Sequence, residues 1–333
     1  MVAYSTQMPM ASAKKPQRRK RAAASSRASW GTAWTSRSTN GVKVLREPSL
    51  KKLDWLVHGF STRPGGVSVL EQKGSGARRK AEEKVLNLGF TDWDSRERVL
   101  ANRKKFLGAI GASKMRPVTL KQIHSDVACG VGASGPANGE SPQADALFTR
   151  ESGTLLIVQT ADCVPILLAD VRQRAVAAVH SGWRGTVQRI AAKTLGRMQM
   201  EFGTRPRDVI AALGPAIGPC CYEVGSDVAK EFHSQFANAR EWFDGSFDAL
   251  AAGENDPNWL PWLTMRPPGH PPPAPTVQLD LIAANRAILV DDAGVLPENI
   301  HVSGYCTACR TDLFFSYRRE CVTGRMMAAI GIR

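Results

Sequence analysis

The sequence predicts an α/β fold, with helices laid against a central mixed sheet, and three observations lead there. Short apolar runs rich in β-branched residues alternate with longer stretches of helical period. The 333 residues are 43% hydrophobic, enough for a sizeable core. Beyond residue 41 no internal repeat and no Pro/Gly/Ser linker cuts the chain into separate parts.

Taken in order, residues 42–45 and 55–60 read as short extended segments that follow a leader ending near Gly41. The polar, glycine-containing stretch 71–84 reads as a surface loop or short helix. A helical period follows at 96–110, then strands at 118–123, 155–159 and 175–179, a helix at 186–202, a strand at 209–213 and a helix at 226–236. A second excursion, 238–276, holds GENDPNWLPW and PPGHPPPAP, whose prolines forbid regular structure through most of it. Its Trp259, Trp262 and Leu263 are expected to pack back on the body. A helix at 279–292 and strands at 300–302 and 325–332 complete the alternation.

The net charge of +14 is concentrated at one end: residues 1–46 hold ten Lys and Arg and no acid. A polybasic segment can hold phosphates by counterion release, but a solvated, disordered leader over residues 1–41 is the reading adopted, and nucleic acid is not expected as a partner. No apolar run approaches the ~20 residues of a membrane-spanning helix, so no membrane association is expected. Seven cysteines without framework spacing, and no compact apolar segment at the start, suit reduced thiols in a cytoplasmic setting. The Ala/Ser/Arg-rich, acid-free residues 1–40 also have the composition of an organellar transit peptide.

Three residues of metal-ligating type stand where predicted strands end. VTLKQI runs into His124, LLIVQT into Ala161, Asp162 and Cys163, and AVAAV into His180. In α/β sheets functional groups gather at such ends. Two imidazoles and a thiolate suit zinc, and three protein ligands leave a fourth position open, the pattern of a catalytic site. Taken singly, each has a plainer role: a satisfied polar residue for the histidines, a small buried hydrophobe for the cysteine.

The strings HGFSTRPGGVS (58–68), NLGF (87–90), NRKKF (102–106), LKQIHSD (120–126), ADALFT (144–149), QTADCVPILLAD (159–170), AVHSGWRGT (178–186), ALGPAIGPCCYEVG (212–225) and FFSYRRECVTGR (314–325) together resemble one family. It is the laccase-domain or polyphenol-oxidase-like family, also called the peptidoglycan editing factor or purine nucleoside phosphorylase family. The resemblance runs from about residue 53 to 333. It implies a single-domain, multilayer α/β sandwich over residues 42–333, with zinc held by His124, Cys163 and His180. It further implies phosphorolysis of adenosine, inosine, guanosine and S-methyl-5'-thioadenosine, with adenosine deamination beside it. A copper polyphenol oxidase and a cell-wall precursor quality-control factor are the alternatives. Six histidines in the whole chain are too few for a trinuclear copper cluster, which ranks the oxidase lower.

With a purine nucleoside and phosphate as partners, other residues acquire expected roles. Asp162 is a candidate proton shuttle for deamination, or else a cap or hydrogen-bond partner of a ligand. Arg63, beside the glycines of STRPGG, is the favoured phosphate ligand, with Arg184 and Arg318 as further candidates. Asn87 and Gln122 are candidates for ribose hydroxyls or base edges, and Phe60 for stacking on the purine. His58 reads as either pocket or core, Trp183 as packing. Cys306 and Cys309 form a C-x-x-C read as structural or incidental, and no chemical role is assigned to Cys220 and Cys221. The charged insertion after GGVS and the Pro-rich loop before VQLDL are departures from the family pattern that could edge the pocket.

Overall fold

The computed structural model describes residues 34–39, 41–71, 82–133, 141–245 and 276–333. Its frame is two six-stranded mixed sheets. In sheet I the order is Thr35–Thr39, Val42–Arg46, Leu56–Ser61, Met326–Ile332, Thr154–Thr160 and Arg116–Val118, antiparallel except for the last pair. Sheet II runs Ile300–Val302, Val209–Leu213, Val164–Asp170, Ala175–Ser181, Ala146–Thr149 and Ala128–Gly130, with parallel pairs at its two edges.

Period-two alternation sorts the strand residues into separate cores. Leu156, Val158, Ala328 and Ile330 of sheet I meet Leu167, Ala169, Val176 and Ala178 of sheet II in one apolar cluster. Their strand neighbours turn outward. Leu155, Ile157, Met327 and Ala329 pack against Phe106 and Ile110 of the helix Arg96–Ile110. On the other side, Ile166, Leu168, Ala177 and Val179 pack with residues of the helices Ile190–Phe202, Ser226–Gln235 and Leu281–Asp291. The layers are thus helix, sheet, sheet, helices. A one-residue slip in any central strand would exchange the two cores it serves, which fixes the register. The mixed α/β class predicted from periodicity is the one observed.

Local chemistry sets the element ends. Ser95 accepts from the Arg98 amide to start the helix Arg96–Ile110, and Asp280 does the same from Ala283 for the helix Leu281–Asp291. The helix expected over 186–202 is two, Trp183–Val187 and Ile190–Phe202. Arg189 between them has φ 60°; its guanidinium binds Asp292 and the Gln235 carbonyl and lies over Phe236, contacts that hold the break open. Leu279, expected to begin a helix, ends the strand Thr276–Leu279, which lies between Glu223–Gly225 and Phe243–Asp244 in a small third sheet.

Other differences lie in strands that periodicity did not reveal. Thr35–Thr39 pairs with Val42–Arg46 as an edge hairpin, and buried Trp34 packs 4.9 Å from Phe60, so sheet I begins before residue 41. The Thr- and Ser-rich composition of 35–39 hid it among leader residues. Val164–Asp170 is buried at every position, and Pro165 masked it as a strand. Of the 71–84 stretch, Glu82–Val85 is a strand paired with Pro64–Glu71. Residues 1–33, with most of the basic leader, residues 72–81, and residues 246–275, with Trp259, Trp262 and Leu263, lie outside the described residues. Among the described residues no helix is long and apolar enough to cross a membrane.

His58 belongs to the core of sheet I. It is 1% exposed, and its Nε2 accepts from the Glu47 amide at 3.0 Å. Burial, with the nearby Arg46 charge, lowers its pKa from 6.5 to about 3. As pH falls below 6.5 the unfolded chain takes up a proton that the folded chain refuses until about pH 3. Stability should therefore fall through this window, by at most about 1.4 kcal/mol per pH unit. His58→Gln, which keeps an acceptor for Glu47, should flatten that part of the urea-midpoint profile; an unchanged slope would rule His58 out as the cause.

Candidate metal centre and its pocket

The chain crosses from sheet I to sheet II between Thr160 and Val164, and the crossing is tight. Asp162 sits there with φ 96°, and its carbonyl accepts from Ile217. This turn delivers Cys163 beside His180, whose strand neighbour across the sheet is Pro165. The third group, His124, comes from the loop after Leu120 and has φ 58°. Ligand atoms of His124, Cys163 and His180 all lie within 4.8 Å of one another. Cys163 Sγ is 4.0 Å from His124 Nε2, and the two imidazoles meet edge to face at 5.0 Å.

Asp145, which the sequence did not single out, organises this cluster. It has no exposed surface. Its Oδ1 pairs with His180 Nδ1 at 2.9 Å, which leaves His180 Nε2 as the ring's second nitrogen. Its Oδ2 accepts from the amides of Ile123 and Ser125 and from Ser125 Oγ, so the residues flanking His124 are tied to the same carboxylate. Burial disfavours charge on Asp145, but the bonds from His180 and Ser125 hold its carboxyl well below the usual range. Burial also opposes charge on Cys163 and His180. The two imidazoles nevertheless draw the Cys163 thiol down to about 6, and the thiolate with Asp145 raises His180 to about 9. The donor set is thus a thiolate poised beside an imidazole whose far nitrogen is fixed by a carboxylate, an arrangement suited to a borderline divalent ion. Gly182 leaves room for it, since a Cβ there would stand 3.0 Å from Cys163 Sγ and 3.2 Å from His124 Cδ2.

These three residues line one wall of a cavity of about 590 Å³, within the range of small-molecule sites. Gln122, Asp162 and Arg318 also line it, together with Tyr222, Tyr317 and Arg325, which the sequence did not flag. Gln122 is engaged on both amide atoms, donating to the Gln159 carbonyl and accepting from the Gln159 amide. Asp162 is likewise occupied: Oδ1 accepts from Thr307 Oγ1 at 2.6 Å and Oδ2 from the Arg318 amide at 2.7 Å. Arg318 donates to the Glu223 carbonyl and lies 5.2 Å from the Tyr222 ring centre.

Three expected substrate residues lie elsewhere. Arg63 is 1% exposed and bound to Glu320 at 2.6 Å and Glu83 at 2.8 Å, over the Phe315 ring, and is not in the cavity lining. Two carboxylates already neutralise it. Asn87 is buried and joins Gly89, Asp94 and Arg325 through its side-chain amide. Phe60 fills the core between the sheets. Arg184, also outside the lining, stacks on Trp183 at 4.4 Å, and Trp183 packs on the helical core.

A second cluster went unrecognised. Cys220 and Cys221 meet Cys306 and Cys309, all four sulfurs within 4.8 Å of one another, and together they could hold a metal ion. A parallel bridge between Ala216 and Cys306 brings the two segments together. The vicinal pair and the C-x-x-C were each visible in the sequence; the bridge that joins them was not.

The family described as multi-copper polyphenol oxidoreductase laccase matches residues 57–333. Purine nucleoside phosphorylase YlmD of Geobacillus stearothermophilus is 35% identical over 286 residues, covering 84% of this chain and 94% of that protein. A purine nucleoside phosphorylase of Deinococcus radiodurans is 36% identical over 293 residues, covering 88% and 94%. The crystal structure of Bacillus licheniformis hypothetical protein YfiH superposes with a TM-score of 0.70 at 27% identity, over 90% of this chain and 99% of that one. The nine sequence blocks, the layered sheets and these matches agree: the chain belongs to the multi-copper polyphenol oxidoreductase laccase family.

Proposed function

We propose that this protein is a zinc-dependent purine nucleoside phosphorylase acting on adenosine, inosine, guanosine and S-methyl-5'-thioadenosine. The observation that carries the proposal is one cavity with a His–Cys–His donor set on one wall and two arginines and two tyrosines among its other lining residues. The relatives named purine nucleoside phosphorylase support the choice of substrate. His124, Cys163 and His180 would hold the zinc, and zinc bound there would supply a Lewis-acid pole at the cavity wall.

In phosphorolysis a phosphate oxygen bonds to the anomeric carbon while the bond from that carbon to the purine nitrogen breaks, and the base leaves with the electron pair. The chain must therefore hold an anion and stabilise a departing base. Among the described lining residues Arg318 and Arg325 carry guanidinium groups, and phosphate is the ligand their donors suit. Asp162 acts as a positioning residue for Arg318, because its Oδ2 fixes the Arg318 amide. With both oxygens so engaged, Asp162 is a poor proton shuttle, and this favours phosphorolysis over adenosine deamination. Tyr222 offers a hydroxyl that keeps its proton: burial, then the Cys163 and Asp162 charges, push it up to about 12. Its Oη can therefore donate to phosphate or to the leaving base at neutral pH. Tyr317, exposed at the cavity edge, supplies an aromatic face for a purine.

The direct test is phosphate-dependent release of base from adenosine and inosine by the purified protein, alongside its metal content. Release that is equal with and without phosphate would sink the proposal, and so would a Cys163→Ala variant with full zinc and full turnover. Asp145→Asn should weaken metal binding about 10–100-fold in chelator competition, as loss of a ligand's carboxylate partner does elsewhere. An unchanged affinity would mean that Asp145 only fills space. Arg318→Ala should raise KM for phosphate by about tenfold or more, the loss of one charge-assisted contact. Arg63→Met should instead cost about 3 kcal/mol of stability in urea unfolding and raise that KM less than Arg318→Ala does. The reverse pattern would return Arg63 to the phosphate site.

A further inference from the structure

Beyond the nucleoside site, we propose that Cys220, Cys221, Cys306 and Cys309 form a second, closed zinc site that fastens one wall of the cavity. Four thiolates around zinc at ~2.3 Å stand at the corners of a tetrahedron whose edges are roughly 3.8 Å. Cys309 Sγ lies 3.5 Å from Cys220 Sγ and 3.4 Å from Cys221 Sγ, and no pair of the four exceeds 4.8 Å. That spacing suits a single ion. An iron–sulfur cluster would need the sulfurs spread around several metal atoms. A disulfide would join two of them and leave the others unpaired, whereas Cys309 stands almost equally far from two partners.

The surroundings fit a charged tetrathiolate. The Gly218 amide donates to Cys306 Sγ at 3.2 Å, and Arg319 Nη2 lies 3.7 Å from Cys221 Sγ. Such donors offset the excess negative charge of four thiolates on one divalent ion. Gly218 also gives the sulfurs their space, because a Cβ there would lie 3.3 Å from Cys306 Cβ and 3.5 Å from Cys220 Sγ. On binding, four sulfur–zinc bonds replace the thiol protons, which pass to solvent, and no electrons are transferred. With four protein ligands the site has no open position, so its role is structural.

None of the four cysteines lines the cavity, but their neighbours do. Ile217 and Tyr222 flank the vicinal pair, and Thr307, between Cys306 and Cys309, donates to Asp162. The second zinc would thus join two loops distant in sequence and hold Asp162, and through it Arg318, in place.

The test is metal counting on the full chain purified under reducing conditions. About two zinc ions per chain are expected, falling to about one in Cys309→Ser and to about one in Cys163→Ala. A wild-type count of about one that Cys309→Ser leaves unchanged would overturn the proposal. If Cys309→Ser fails to fold, cobalt substitution of the wild-type chain decides. Charge-transfer intensity expected of five thiolates in all would uphold the second site, and that of one thiolate would reject it. Because these readouts do not use nucleoside turnover, the second site can fail while the phosphorylase reading stands, and the reverse.

Discussion

Asp145 has no exposed surface, and its charge is held by four donors that converge on its two oxygens, the His180 imidazole among them. Removing a carboxylate from water costs several kcal/mol unless such donors replace the lost hydration. Satisfying that one demand draws a loop and a strand end together. Ile123 and Ser125 bind one oxygen from either side of His124, and His180 binds the other. The backbone repeats the connection, since the His180 amide donates to the Asp145 carbonyl and the Asp145 amide to Val127. The left-handed backbone at His124 follows from being the residue between two donors aimed at a single point. Cys163 then needs only the crossing between the sheets to arrive beside the two rings.

Much of this architecture was legible because strands carry a period of two and helices a period of 3.6. The helix Arg96–Ile110 and the strands Val209–Leu213 and Ile300–Val302 lie where periodicity put them. Two of the ligating side chains were legible for a related reason: Cys163 follows the strand Thr154–Thr160 and His180 stands near the end of Ala175–Ser181, whereas the strand expected over 118–123 is only Arg116–Val118 and His124 sits in the loop beyond it. What the sequence hides is contact at long range. Arg63 stands beside glycines as phosphate-binding arginines often do, but its partners Glu83 and Glu320 are 20 and 257 residues away. Asp145 resembles any acid at the start of a strand until its donors are known. The four clustered cysteines read as two unrelated pairs because nothing in either pair announces the Ala216–Cys306 bridge.

Part of the cavity lining is built from a short, irregular piece rather than from the sheets. Tyr317 and Arg318 open a four-residue helix capped by Ser316, whose hydroxyl accepts from the Arg319 amide. Asp162 binds the same helix at its Arg318 amide, and Glu320 within it is the partner of Arg63. A single turn of helix is marginal alone. Here it is fixed by its own cap and by two side chains from other segments, Asp162 and Arg63. One ligating residue, His180, thus comes from a strand and two, His124 and Cys163, from a loop and a turn beside the sheets, while a braced loop region supplies Tyr317 and Arg318.

The strand Met326–Ile332 lies between Leu56–Ser61 and Thr154–Thr160, and it is the last strand described although it sits at the middle of sheet I. During synthesis the earlier strands on either side can form, but neither half can join the other until this segment leaves the ribosome. Such distant pairing slows folding and leaves apolar strand edges open for as long as it is awaited. Sheet II draws its strands from residues 128–302, and its latest strand, Ile300–Val302, lies at an edge and not at the centre. Any state of the chain in which residues 326–332 are unpaired therefore has sheet I divided into two parts, each with an open strand edge.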